Sequence, residues 1–360
     1  MKNLLFFLAL LNSLACFAQF TAIPDTNFEN YLEQNGMGDG VPNNGQVLTA
    51  NIENVTTLTV YAKQIQDLTG IEDFTAVELI GCAYNSIPFL DVSQNMNLQA
   101  LNCESSDVVE LLLPPTPTLE IVNCPENFLT ELDVSRNPGL EQLYCNINSI
   151  ASLDLTNNPT IDLVVATYNN ISGVLDTSQN PALTSISVSY NNITGINLTQ
   201  NPVLLGFDAG RNPLESLDVR NGNNENIAVF NVYETSDSLH CILVDDPNAT
   251  YLDNWQKDPE TTFVNNQQEC DALGVADATL QDFTIYPNPA TNEAFLNLPN
   301  KGLDGLVVTV TNNLGQVLEK KEPLDNAAVI LLDVSEYAAG IYFVTCRTGN
   351  ETITKKLVVR

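Results

Sequence analysis

Few residues of this chain are placed to do covalent chemistry. It has one histidine, His240, beside Cys241, so a Ser/His/Asp or Cys/His arrangement would have to be assembled there. No GxSxG, P-loop, HExxH or paired CxxC sequence occurs, which removes the spacings that those nucleophilic, phosphate-binding and metal-binding sites require. A glycosidase needs only two carboxylates at a suitable separation, and 44 acidic residues make such pairs inevitable by chance. A non-enzymatic binding protein is the leading expectation, and a hydrolase working through acidic residues is the alternative.

Two further sets of residues could hold a ligand or form a bond. Asp133, Asp154, Asp176 and Asp218 recur at a nearly constant interval; stacked at that interval they would repel unless solvated, bonded to turn amides, or bridged by a cation such as calcium. The oxygens of Asp39, Asn43 and Asn44 could also ligate calcium, but their spacing fits no calcium loop. No cofactor is expected beyond that calcium alternative. Cys82, Cys103, Cys124 and Cys145 are spaced 21 residues apart and give way to Ala166, Val188 and Ala209 in the same place. A column that accepts Ala and Val is an apolar slot, where a free cysteine acts as a small buried hydrophobe. Cys241 and Cys270 lie outside that period and are expected to bond to each other in an oxidising compartment, leaving Cys346 buried and unpaired.

The spacing that positions these residues is clearest in Leu140 to Asn148, LEQLYCNIN. Written as Leu140-x-x-Leu143-x-Cys145-x-x-Asn148-x-Ile150, it returns from Val77/Ile80/Cys82/Asn85/Ile87 to Leu204/Phe207/Ala209/Asn212/Leu214. A period this short means one supersecondary unit stacked on itself. Alternation around Leu143 makes a short strand, and successive strands lie side by side as a parallel sheet about 4.8 Å apart. The recurring Asn (Asn85, Asn127, Asn148, Asn169, Asn191, Asn212) leaves each strand, where its amide can bond unpaired backbone groups as a structural ladder. A second signature, Leu132-Asp133-Val134 and its repeats, turns apolar residues inward, and Asn-Pro pairs at 137/138, 158/159, 180/181, 201/202 and 212/213 supply turns before or between strands.

The repeat resembles the leucine-rich repeat. That resemblance implies a solenoid of about nine coils, with strands near 58, 80, 101, 122, 143, 164, 186, 207 and 230 lining a concave face. Outward positions of that face are the side chains a solenoid offers to a partner. They include Tyr84, Tyr144, Ile147, Leu163, Val165, Tyr168, Tyr190 and Arg211, and Tyr and Arg among apolar residues is the composition of an interface hot spot. A protein or glycan ligand is expected there.

Charge and termini set the compartment. Met1 to Ala18 reads as a secretory signal, with Lys2 before the apolar run Leu4 to Leu11. Cys16 suggests a lipoprotein, but Ser13 stands where a lipobox carries Leu. Without Lys2 the chain keeps 12 basic and 44 acidic residues, a net charge of −32. Such a field repels nucleic acid and anionic membrane, and no later stretch approaches a transmembrane span. Domains are expected as a signal over residues 1–18, an N-terminal helical cap over 19–50, the solenoid over 51–232, a C-terminal cap over 233–271 and a linker over 272–281. Within the first cap, Asp25 to Gly36 carries its own helix punctuation.

From 282 to 360 the pattern changes to seven short alternating strands, which argue a small all-β antiparallel sandwich. Ile285-Tyr286-Pro287-Asn288-Pro289-Ala290 opens it, Asn313-Leu314-Gly315-Gln316 lies in its middle, and Gly340-Ile341-Tyr342-Phe343-Val344 leads to Lys355-Lys356-Leu357-Val358-Val359-Arg360. These motifs resemble the type IX secretion C-terminal sorting domain of Bacteroidota. The resemblance implies passage to the periplasm, recognition of this domain by the type IX machinery, export across the outer membrane, and then surface attachment or release. The repeat section, with IPDTNFENYL before it and Cys241-Ile242-Leu243-Val244-Asp245-Asp246 after it, is similar to the short-repeat surface proteins that carry such tails.

Overall fold

The structure, a computed structural model, describes residues 19–235, 238–274, 283–298, 305–322, 329–348 and 351–360. The expected signal and most of the linker lie outside them. The chain divides into two units, Met1–Gly274 and Val275–Arg360.

The first unit is a parallel β-solenoid. Its principal sheet has ten strands among the described residues, stacked in chain order: Thr57–Thr59, Leu79–Gly81, Ala100–Asn102, Ile121–Asn123, Gln142–Tyr144, Leu163–Val165, Ser185–Ser187, Gly206–Asp208, Val229–Val232 and Gln256–Lys257. Each central residue points in and its neighbours point out, so Leu143, Val164, Ile186 and Phe207 are buried and aligned. The expected nine coils become ten because Gln256–Lys257 pairs with Val229–Val232. Trp255 carries the interior one coil further by stacking on Phe230, ring centroids 3.9 Å apart. The second signature also forms strands: Ser172–Asp176, Asn192–Asn197, Ser216–Asp218, Cys241–Leu243 and Thr262–Val264 make a second parallel sheet, and Phe89–Asp91 pairs with Glu110–Leu112. Two sheets thus enclose one apolar interior, in which Cys82, Cys103, Cys124 and Cys145 queue as free, fully buried thiols.

Asparagines fix the register of the coils. Asn169 Nδ2 donates to Cys145 O of the preceding coil at 3.0 Å and to Ala166 O of its own at 3.3 Å, while its Oδ1 accepts from Ile150 N at 2.9 Å. The same set of bonds recurs at Asn85, Asn127, Asn148, Asn191 and Asn212. Where Ser106 replaces Asn, its Oγ donates to Cys82 O at 3.0 Å. The asparagines of the Asn-Pro pairs do more than turn the chain. Asn137, Asn158, Asn180 and Asn201 are buried and form a second ladder, in which Asn158 Nδ2 donates to Val134 O and Asn137 O at 3.0 and 2.8 Å.

The aspartate column lies outside this interior. Asp133, Asp154, Asp176 and Asp218 each accept the backbone N–H two residues on, at 2.8 to 3.1 Å. The Ser135 and Thr156 hydroxyls and amides hold the carboxyls of Asp133 and Asp154 below the ordinary aspartate range. Asn197, which is uncharged, makes the same bond to Thr199 N at 3.0 Å. The position therefore calls for an oxygen acceptor rather than a charge.

The N-terminal cap holds the helix Thr26–Gln34, which Asp25 caps by accepting from Asn27 N and Phe28 N. Phe28 stacks on Phe74, and Asp25 Oδ2 accepts Gln66 N at 2.7 Å, so the helix seats on the first crossover. The cap also contains the antiparallel pair Phe20–Ala22 with Gln46–Leu48, which sequence pattern does not reveal. Its loop is tied to the helix by Glu29, which accepts from Asn44 N and Gly45 N, and by Glu33, which accepts from Asp39 N. At the other end Cys241 and Cys270 are disulfide-bonded, fastening the helix Gln267–Gly274 to the second sheet three residues beyond the expected boundary at 271.

The second unit contains a three-stranded sheet and a four-stranded antiparallel sheet around its own core. Cys346 is buried and free within it.

Two tests follow from these bonds. Asp154→Asn keeps the acceptor and leaves the free energy of urea unfolding within about 0.5 kcal/mol, whereas Asp154→Ala lowers it by about 1 kcal/mol. Burial pushes the Cys82 and Cys145 thiols from about 9 up to about 12. The unfolded chain ionises first as pH rises, so this contribution to stability is intact below pH 9 and is lost between 9 and about 12. A thiol reagent at pH 8 should accordingly leave the column unmodified in the native protein and label it after denaturation.

Candidate functional site

The eight outward residues divide into two groups. Tyr144, Leu163 and Val165 lie within strands on the open face of the ten-stranded sheet and are half-buried by their neighbours. Tyr84, Ile147, Tyr168, Tyr190 and Arg211, expected on the sheet itself, sit past the strands at its trailing rim. The reason is length: each strand runs only about three residues before the chain turns into the left-handed region, with φ of 54 to 60° at all five. Their amides still bond across coils, Tyr168 N to Ser189 O at 3.0 Å and Tyr190 N to Gly210 O at 3.0 Å. The side chains therefore form a second column parallel to the sheet.

The structure brings most of this column together. Tyr168 and Tyr190 stack with ring centroids 4.0 Å apart and planes at 16°, and the Arg211 guanidinium lies 4.8 Å from the Tyr190 centroid. Arg211 also pairs with Glu234 at 2.7 Å. The neighbouring Tyr190 hydroxyl, with a smaller effect of burial, raises the Tyr168 hydroxyl above its ordinary value, and Arg211 opposes that shift. Ile147, on the coil before Tyr168, is 46% exposed, so an apolar surface continues from the stack. Tyr84 stands apart, packed on Tyr61 at 4.9 Å and donating to Glu104 Oε1 at 2.8 Å.

His240 is exposed at the start of the strand Cys241–Leu243, and the neighbouring sulfur is bonded to Cys270. The only cysteine beside the histidine is thus not a free thiol.

In the second unit the separate motifs converge on the last strand. Asn288 donates to Lys356 O at 2.7 Å and accepts from Val358 N at 2.9 Å, joining the Tyr286-Pro287-Asn288-Pro289 segment to the C-terminal strand. Gly340 pairs with Val359, and Tyr342 pairs with Leu357 while its hydroxyl donates to Ala338 O at 2.7 Å. Lys355 lies over the Phe283 ring, and Lys356 is exposed opposite Phe343. Residues 284–360 match the family described as the secretion system C-terminal sorting domain.

The second unit is a C-terminal sorting domain. This sorting domain directs the chain across the outer membrane to the cell surface or the extracellular space. No helix among the described residues is long and apolar enough to cross a membrane. Among solved structures the solenoid is similar to the functional domain of InlJ from Listeria monocytogenes, at 27% identity and a TM-score of 0.55, over 66% of this chain and 51% of that one. This chain therefore spans about half the length of that protein's structure. The InlJ domain includes a cysteine ladder, and the column from Cys82 to Cys145 is such an arrangement here. Internalin C2 from the same organism matches at 19% identity and a TM-score of 0.42, over 61% of this chain and 99% of that one. YopM from Yersinia enterocolitica matches at 23% and 0.41, over 53% and 38%. No curated protein matches the chain. With its sorting domain, the chain is an exported leucine-rich-repeat protein.

Proposed function

We propose that the solenoid is the binding part of this exported protein, and that it takes a protein partner on the open face between the strands and their trailing rim. The observation that carries this reading is the Ile147, Tyr168, Tyr190, Arg211 column. A left-handed backbone is met at least cost by Gly or Asn, and a β-branched residue there is an outlier. Four large side chains nevertheless occupy successive coils in that conformation and stand 36% exposed or more. Strain held in place by the surrounding ladder, for side chains that point at solvent, supports a surface role. Tyr168 and Tyr190 cover each other's faces and Arg211 covers Tyr190. Both faces of Tyr190 and one of Tyr168 are thus engaged, leaving mainly ring edges beside the aliphatic Ile147, which suits the mixed polar and apolar groups of a polypeptide. The part of InlJ that is matched, about half of that structure, lies within that protein's functional domain, which supports placing the working part in the solenoid.

The test is retention of a partner from the surrounding medium by the mature chain and by Tyr168→Ala/Tyr190→Ala. The double variant is expected to weaken binding by about 30-fold or more, with a melting temperature within about 3 °C of the parent because both rings are exposed. Unchanged affinity in the double variant would contradict the reading.

A further inference from the structure

We propose that the partner presents a basic, apolar-studded polypeptide segment, seated across the coils whose strands are Ile121–Asn123, Gln142–Tyr144 and Leu163–Val165; this rests on the binding role just proposed. The leading rim of these strands carries Glu120, Glu141 and Asp162, one on each successive coil, with Glu78 two coils earlier. Their backbones are locked in register, since Glu120 O accepts Glu141 N and Gln142 N, and Glu141 O accepts Asp162 N and Leu163 N. Their backbones thereby lie in a row at about the coil spacing of 4.8 Å, which gathers negative charge along one rim.

No basic side chain among the described residues pairs with that row. The aspartate column on the opposite side gives each carboxylate a turn amide, but the side chains of Glu120, Glu141 and Asp162 have no hydrogen-bond or ion-pair partner among the described residues. Only five basic residues accompany 34 acidic ones between positions 19 and 274. Four are engaged elsewhere: Arg211 with Glu234, Arg220 with Asp218, Lys63 over the Tyr31 ring, and Lys257 with the carbonyls of Asp258 and Thr261. The fifth, Arg136, stands near Asp133 of the opposite column.

The same coils carry the apolar part of the face. Glu141 precedes the strand holding Tyr144 and followed by Ile147; Asp162 precedes the strand holding Leu163 and Val165 and followed by Tyr168. An acidic leading rim, a middle of Ile121, Tyr144, Leu163 and Val165 with Asn123 and Gln142 between them, and a trailing rim that passes from Glu126 to Ile147 and Tyr168 therefore lie side by side over three coils of the open sheet face. Charge complementarity selects a segment with Lys or Arg toward the leading rim, and the apolar strip selects aliphatic side chains between them. Attraction of this kind weakens with added salt.

The probe is a Lys-Leu repeat peptide, with a Glu-Leu repeat as its counterpart, titrated into the full mature chain at low and at physiological salt. Glu120→Gln/Glu141→Gln/Asp162→Asn is compared with the charge-matched control Glu110→Gln/Glu131→Gln/Glu215→Gln, whose side chains are exposed away from this rim. The rim triple is expected to weaken the Lys-Leu peptide by about tenfold or more and the control by less than about twofold. Equal loss in both triples shows general attraction to an acidic protein and overturns the proposal, as does equal binding of the Glu-Leu peptide. An unchanged affinity in the rim triple also overturns it. Should Tyr168→Ala/Tyr190→Ala still lose the natural partner in that case, the binding face stands and only the basic character of its partner falls.

Discussion

Six of the ten principal strands are followed by an asparagine whose amide bonds its own coil and the coil before it, with Ser106 in that place after a seventh, and the placement of the other side chains depends on those bonds. Asn169 pairs the Ile150 N–H and shares two carbonyls with its neighbours in the ladder, Cys145 O with Asn148 and Ala166 O with Asn191, and a buried backbone group without a partner is costly. Slippage of one coil against the next by a single residue would break all three contacts and reverse which side chains face inward. The second ladder is the weaker device. Its amides donate in the same way, but the Oδ1 atoms of Asn95, Asn158 and Asn180 have no partner among the described residues.

Because the ladder fixes register, columns of side chains become surfaces. A residue type repeated every 21 or 22 positions is stacked at one coil spacing, so chemistry is multiplied or opposed along a line. Four thiols stack without cost because they are protonated and apolar. Aspartates stack because each is bound by a turn amide. Tyr168, Tyr190 and Arg211 stack because ring faces and a guanidinium attract. Glu120, Glu141 and Asp162 are the exception, aligned with no side-chain hydrogen-bond or ion-pair partner among the described residues, beside the open-face residues Ile121, Tyr144, Leu163 and Val165 of the same coils.

Much of this was legible in the chain. The 21-residue spacing placed the strands, because a short period admits few structures, and it placed the cysteines in the interior, because their column also accepts Ala166 and Val188. The Cys241–Cys270 bond and the strands of the sorting domain were legible for similar reasons of spacing and alternation. The tenth coil was not, since Gln256–Lys257 is a strand of two residues announced only by Trp255. Nor was the trailing rim: alternation says which way a strand residue points, but not that the strand stops after three residues and that Tyr168 then takes a left-handed turn. The second ladder was hidden because Asn-Pro reads as turn chemistry, and the same asparagine can turn the chain and be buried at once. The Glu120, Glu141, Asp162 row was visible as letters, but its lack of partners is a property of the folded neighbourhood.

The ladder is tested most directly by urea unfolding of Asn169→Ala. Loss of its amide leaves the Ile150 N–H unsatisfied in the interior and removes one of the two amide donors to each of Cys145 O and Ala166 O, so the unfolding free energy should fall by about 2 kcal/mol or more. A loss below about 1 kcal/mol, the scale of an ordinary surface substitution, would contradict the claim that these amides set the register of the solenoid.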